Sequence, residues 1–140
     1  MWATLQNDFQ AWRNVQMTEV CMVFFRAGTC DLAGAASSLR EHGLDVSQLP
    51  DVLVASSAKS PPFCIRVSSA PRVQTEAREI AVGTPHETAM RECTARFEIE
   101  IDDLDEALDE INTLIEVQAA LQEASNGYLF VPWSGHLCEP

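Results

Sequence analysis

Six carboxylates fall within nine residues, at Asp102, Asp103, Asp105, Glu106, Asp109 and Glu110. So dense a run could hold a hard cation, complement a helix dipole, or present a field to a basic partner. An EF-hand loop needs alternating ligands and a central glycine, and this run has neither. On a helix Asp105 and Asp109 project together, with Asn112 and Glu116 further along the same face, a set that would hold a hard cation only weakly. Acids in the first two turns complement the positive end of a helix, yet six exceed what that effect requires. The like-charged pairs Asp105/Asp109 and Glu106/Glu110 cost about a few tenths of a kcal/mol each unless a cation balances them. Charge kept against a local cost points outward, to a basic protein partner. Asp105, Glu106, Asp109, Glu110 and Glu116 are therefore the candidate partner-binding residues. Trp133 joins them: it stands beyond a strand-stopping Pro132, where an aromatic either sits on a recognition surface or folds back over the core edge.

The other reactive residue types form no site by spacing. His42, His86 and His136 are isolated, with no HxH, HExxH or Cys/His pair at zinc spacing. His86 and Cys93 are seven residues apart. On one helix their side chains would start about 10 Å apart, too far for the contact a nucleophile needs with its base. No P-loop, GxGxxG or GxSxG occurs, so no cofactor and no catalytic residue is expected. The five cysteines are odd in number and lack a CxxC pair, so a disulfide framework is not expected and a reducing cytoplasm fits best. The opening Met1-Trp2-Ala3-Thr4-Leu5-Gln6 has neither the basic nor the apolar region of a secretory signal, and no run approaches the ~18 apolar residues of a membrane helix.

The net charge of −12 is unevenly placed. Residues 1–93 hold 10 acids and 8 bases, whereas residues 94–140 hold 11 acids and one base, Arg96. Phosphate backbones and anionic membrane surfaces select Lys and Arg. Neither nucleic acid nor membrane is expected as a partner.

These residues must be carried by a scaffold, and 140 residues with 46% hydrophobic content suit one globular domain, 1–140. Leu5, Phe9, Trp12 and Val15 mark an amphipathic helix over 3–15. Residues 19–26, apolar on both faces, read as a central strand. Asp31 caps a helix over 32–42, with Gly43 beyond its end. Residues 51–56 and 63–69 read as a hairpin, with Phe63, Ile65 and Val67 on one face. Pro71 opens a helix to about Ile80, and Thr84 to Glu87 forms a capping box for a short helix to about Cys93. In 96–101 strict alternation turns Phe97, Ile99 and Ile101 inward and Arg96, Glu98 and Glu100 outward. Asp103 starts a helix ending near Ser125 at Asn126-Gly127, with Leu104, Leu108, Ile111, Ile115 and, beside them, Leu114 and Leu121 as its buried stripe. Tyr128–Val131 is a last strand.

The inner order, β-α-β-β-α-β, is that of a ferredoxin-like split βαβ sandwich in the α+β class, here with an added N-terminal helix and a C-terminal αβ extension. In size, acidity and element order the chain is similar, as a class, to small bacterial immunity and inhibitor proteins. That likeness implies a non-enzymatic binding or inhibitory protein that occludes a basic partner. Two other expectations stand beside it. One is a small-molecule-binding or enzymatic α+β domain using His86, Cys93 or His136. The other is a homo-oligomeric structural protein, such as a homodimer.

Overall fold

The computed structural model describes residues 18–140, so the helix expected over 3–15 lies outside the described residues. The described chain runs β1 (Glu19–Phe25), α1 (Leu32–Glu41), β2 (Asp45–Gln48), β3 (Leu53–Ser56), β4 (Phe63–Ser68), α2 (Pro71–Ala81), α3 (Glu87–Met90), β5 (Ala95–Ile101), α4 (Leu104–Asp109), α5 (Ile111–Ser125), β6 (Tyr128–Val131) and β7 (His136–Cys138). It is an α+β protein in which seven strands form one antiparallel sheet, in the order β2-β3-β4-β5-β1-β6-β7.

β1 lies inside the sheet, between β5 and β6, and its two-sided apolar run follows from that position. Cys21, Val23 and Phe25 enter the larger core with α1, α4 and α5. Met22 and Phe24 enter a smaller core on the other face with Val73, Ala77 and Ala81 of α2 and Met90 of α3. The alternation of β5 serves the larger core too: Phe97, Ile99 and Ile101 are fully buried, and the Phe97 ring stacks on Phe25 with centroids 4.7 Å apart.

Local signals set most boundaries. The Asp31 carboxylate accepts from the Gly34 N–H at 2.8 Å and starts α1. Gly43 follows α1 with φ +84, the left-handed conformation that glycine adopts without steric cost. Pro71 stands in the first turn of α2. Asn126 ends α5 in a left-handed conformation, φ 55. A Cβ on the next residue, Gly127, would stand 2.7 Å from the Phe24 carbonyl oxygen and 2.6 Å from Val23, so only glycine lets the chain pass β1 this closely.

The strand order does not confirm the ferredoxin-like arrangement. A split βαβ leaves one strand between the two parallel strands that its helix joins. Here α1 joins β1 to β2, and β3, β4 and β5 lie between them. The helices are also divided between the two faces, with α1, α4 and α5 on one and α2 and α3 on the other. Two short strands lay outside the sequence reading. β2 is mostly exposed, and β7 is a three-residue edge strand; neither has the apolar alternation that marks a strand.

Two further expectations are corrected. Arg96 does not face water: it is 6% exposed, because α2 covers that face of β5 and supplies Glu76 as a buried partner. The helix expected to run unbroken from Asp103 to Ser125 is interrupted at Glu110, whose φ of −116 and ψ of 50 are not helical.

Candidate functional site

The acidic run occupies the turn after β5, the whole of α4, and the break at Glu110. Asp103 is the N-cap, its carboxylate accepting from the Glu106 N–H at 3.1 Å. That satisfies one backbone donor that a helix start leaves open. Leu104 and Ala107 turn into the core, which leaves Asp105, Glu106 and Asp109 exposed and Glu110 half-buried. Among the described residues no ion pair engages Asp105, Glu106, Asp109 or Glu110. The acids of β5 differ, since Glu98 pairs with Arg96 and Glu100 with Arg66.

Glu116 stands apart from the run. It belongs to α5, where Nδ1 of His42 lies 2.8 Å from its carboxylate and Nε2 of the same ring lies 2.8 Å from Glu123. His42 is the C-cap of α1, so the clamp ties the end of α1 to α5. Between the same helices the Ser38 hydroxyl donates to the Ala120 carbonyl at 2.8 Å. The two glutamates, Glu116 foremost, hold the imidazolium of His42 above its ordinary value of 6.5. Trp133 lies in the turn between β6 and β7, partly buried against the larger core. It is therefore not gathered with the carboxylates by any described contact.

Of the stripe expected to be buried, Leu104, Leu114 and Leu121 are inside, whereas Leu108, Ile111 and Ile115 are not. Leu104, Ala107, Leu114, Val117, Ala120 and Leu121 face inward, while Leu108, Ile111 and Ile115 are 39%, 40% and 49% exposed. Both sets satisfy helical spacing. The inner set is fixed by what α5 packs against: Leu114, Val117, Ala120 and Leu121 share one core with Ala35, Ala36 and Leu39 of α1.

A concavity of about 360 Å³ is lined by Arg26, Glu92, Cys93, Ser125, Asn126 and Tyr128 among others. The expected alternative site is assembled only in part: Cys93 lines this cleft, and the His86 ring leans on Tyr128 with centroids 5.4 Å apart. Burial pushes the Cys93 thiol up to about 11, so at neutral pH it is protonated and a poor nucleophile. All five cysteines are free thiols. Among the described residues no three His, Cys, Asp or Glu side chains converge as a metal-ligand set, and no helix is long and apolar enough to cross a membrane.

No family model, curated protein or solved structure matches the chain.

Proposed function

We propose that this chain is a non-enzymatic binding or inhibitory protein that engages a basic protein partner through the acidic face at α4. The carrying observation is that Asp105, Glu106 and Asp109 of α4, and Glu110 directly after it, have no ion-pair partner among the described residues. Where the fold needs an acid, it supplies a base or a cap: Glu76 and Glu98 have Arg96, Glu100 has Arg66, and Asp103 has a backbone N–H. The α4 carboxylates have neither, and their mutual repulsion is a cost that a cationic surface would relieve. Such a field steers encounter with a basic surface and covers it on docking. An inhibitor of a protein that uses a basic face for its own substrate would work in this way.

The test is a paired capture at low salt from the native host. Wild type and a variant carrying Asp105→Asn, Glu106→Gln, Asp109→Asn and Glu110→Gln serve as baits. A basic protein retained by wild type, released by salt and lost on the variant supports the proposal. Identical retention on both baits contradicts it.

A further inference from the structure

We infer that the exposed stripe Leu108, Ile111 and Ile115 is a docking ridge for a basic amphipathic helix of the partner. The inference rests on the acidic-face reading and adds what that partner must look like. Leu108 near the end of α4, and Ile111 and Ile115 one turn apart at the start of α5, stand 39%, 40% and 49% exposed. The same helices already have a complete inner stripe in Leu104, Ala107, Leu114, Val117 and Leu121. The core therefore does not use the outer three. A soluble surface rarely keeps aliphatic residues grouped in this way without an interaction to serve.

The borders of the ridge identify its occupant. On α4, Asp105 stands one turn before Leu108 and Asp109 directly after it, so the α4 end of the ridge is bordered by acid. Gln118 and Gln122, seven residues on from Ile111 and Ile115, continue that face along α5 as amides bonded to the Cys21 sulfur and to the Gly127 and Cys138 carbonyls. Arg96, the one base after residue 93, is buried, so no base from 97–140 can answer the carboxylates. A second copy would bring acid against acid. The N-terminal residues 1–17 hold one acid, Asp8, and one base, Arg13, and so bring no net positive charge. A helix with Leu or Ile at i, i+3, i+4 and i+7, and Lys or Arg beside them, meets the aliphatic and the acidic parts together.

The test uses a designed Leu/Lys amphipathic helical peptide of about 18 residues. Its control has the same composition with the leucines scattered round the helix. Binding to the full chain is read by fluorescence anisotropy for wild type, for Ile111→Gln/Ile115→Gln, and for Asp105→Asn/Asp109→Asn. Because Ile111 and Ile115 are exposed, the first variant should keep the wild-type melting point. The inference predicts that wild type binds the amphipathic peptide more tightly than the scattered one, and that the isoleucine variant loses about tenfold or more of that affinity. If only the aspartate variant weakens binding, the acidic face stands and the ridge is overturned. If neither variant weakens binding, or wild type does not distinguish the peptides, the ridge is overturned; indifference to the aspartate change counts against the acidic face as well. If the isoleucine variant instead changes the melting point or dissociates a dimer, the stripe is covered by this chain or its copy, and the inference is wrong.

Discussion

His42 at the end of α1 holds Glu116 of α5, with Nδ1 2.8 Å from the carboxylate. One candidate docking residue is thus already engaged within the protein. The carboxylates left to an outside partner are those of α4, together with Glu110 at the break. Glu116 instead ties α5 to the end of α1.

The same clamp has a pH signature. The folded value of His42 lies above its ordinary 6.5, so the folded state binds the imidazole proton more tightly than the unfolded chain does. The stabilisation is fully present below 6.5, while the glutamates remain ionised, and is lost as pH rises through the folded value. The stability difference between wild type and His42→Asn should therefore be largest in mild acid and shrink towards alkaline pH. Denaturant unfolding of both proteins across this range measures it. A difference that is flat or grows with pH contradicts the clamp.

Burial separates two leucines of the acidic helices. Leu121 is fully buried, and Leu121→Ala should cost about 2–5 kcal/mol. Leu108 is 39% exposed, and Leu108→Ala should cost less than about 1 kcal/mol. Urea denaturation of the two variants checks the order, and a larger loss at Leu108 would show that the inner stripe has been wrongly placed.

That pair also shows how far the sequence could be read. Cap chemistry and strict alternation act within a few residues, and Asp31, Asp103, Asn126 and the inward face of Phe97, Ile99 and Ile101 were legible for that reason. The choice between two apolar stripes on one helix is made by what the helix packs against. The contact of α5 with α1 and β1 takes Leu114, Val117, Ala120 and Leu121 inward and leaves Ile111 and Ile115 outside. The burial of Arg96 was hidden in the same way: alternation assigns it to the face opposite Phe97, but only the tertiary position of α2 covers that face. Strand order depends on contacts distant in sequence, and β2 and β7 are too short and too exposed to carry a period. The acidic run itself was plain in the sequence; the engagement of Glu116 by His42, 74 residues away, was not.

The Arg96 network gives a sharper stability test. Arg96 and Glu76 are each 7% exposed at the side chain, and Arg96 also reaches Glu98 at 2.8 Å. Its guanidinium lies 5.5 Å from the centre of the Phe24 ring. Arg96→Met leaves the Glu76 charge buried without its partner and should cost about 3–5 kcal/mol. Adding Glu76→Leu should restore much of that loss, because the stranded charge is removed. Equal instability of the single and double variants in thermal melts would show that packing, and not the unpaired carboxylate, sets the cost.

Thiol reactivity should follow burial. Burial pushes Cys21 up to about 12 and Cys93 up to about 11, whereas Cys30, Cys64 and Cys138 are only half-buried. Alkylation of the native protein near neutral pH should mark the latter three well before Cys21 and Cys93, since the thiolate at an accessible sulfur is what reacts. Peptide mass mapping over time reads the order directly. Early labelling of Cys21 would mean that β1 is not the interior strand described here.

The most direct test of the acidic face is the association rate of the captured basic partner as a function of ionic strength. Stopped-flow mixing compares wild type with the variant neutralised at Asp105, Glu106, Asp109 and Glu110. Wild-type association should fall steeply as salt rises, because screening shortens the reach of the field to about 8 Å at physiological ionic strength. The variant should associate at least about tenfold more slowly at low salt, with a flatter dependence. Equal rates and equal slopes for the two proteins would contradict the acidic-face account.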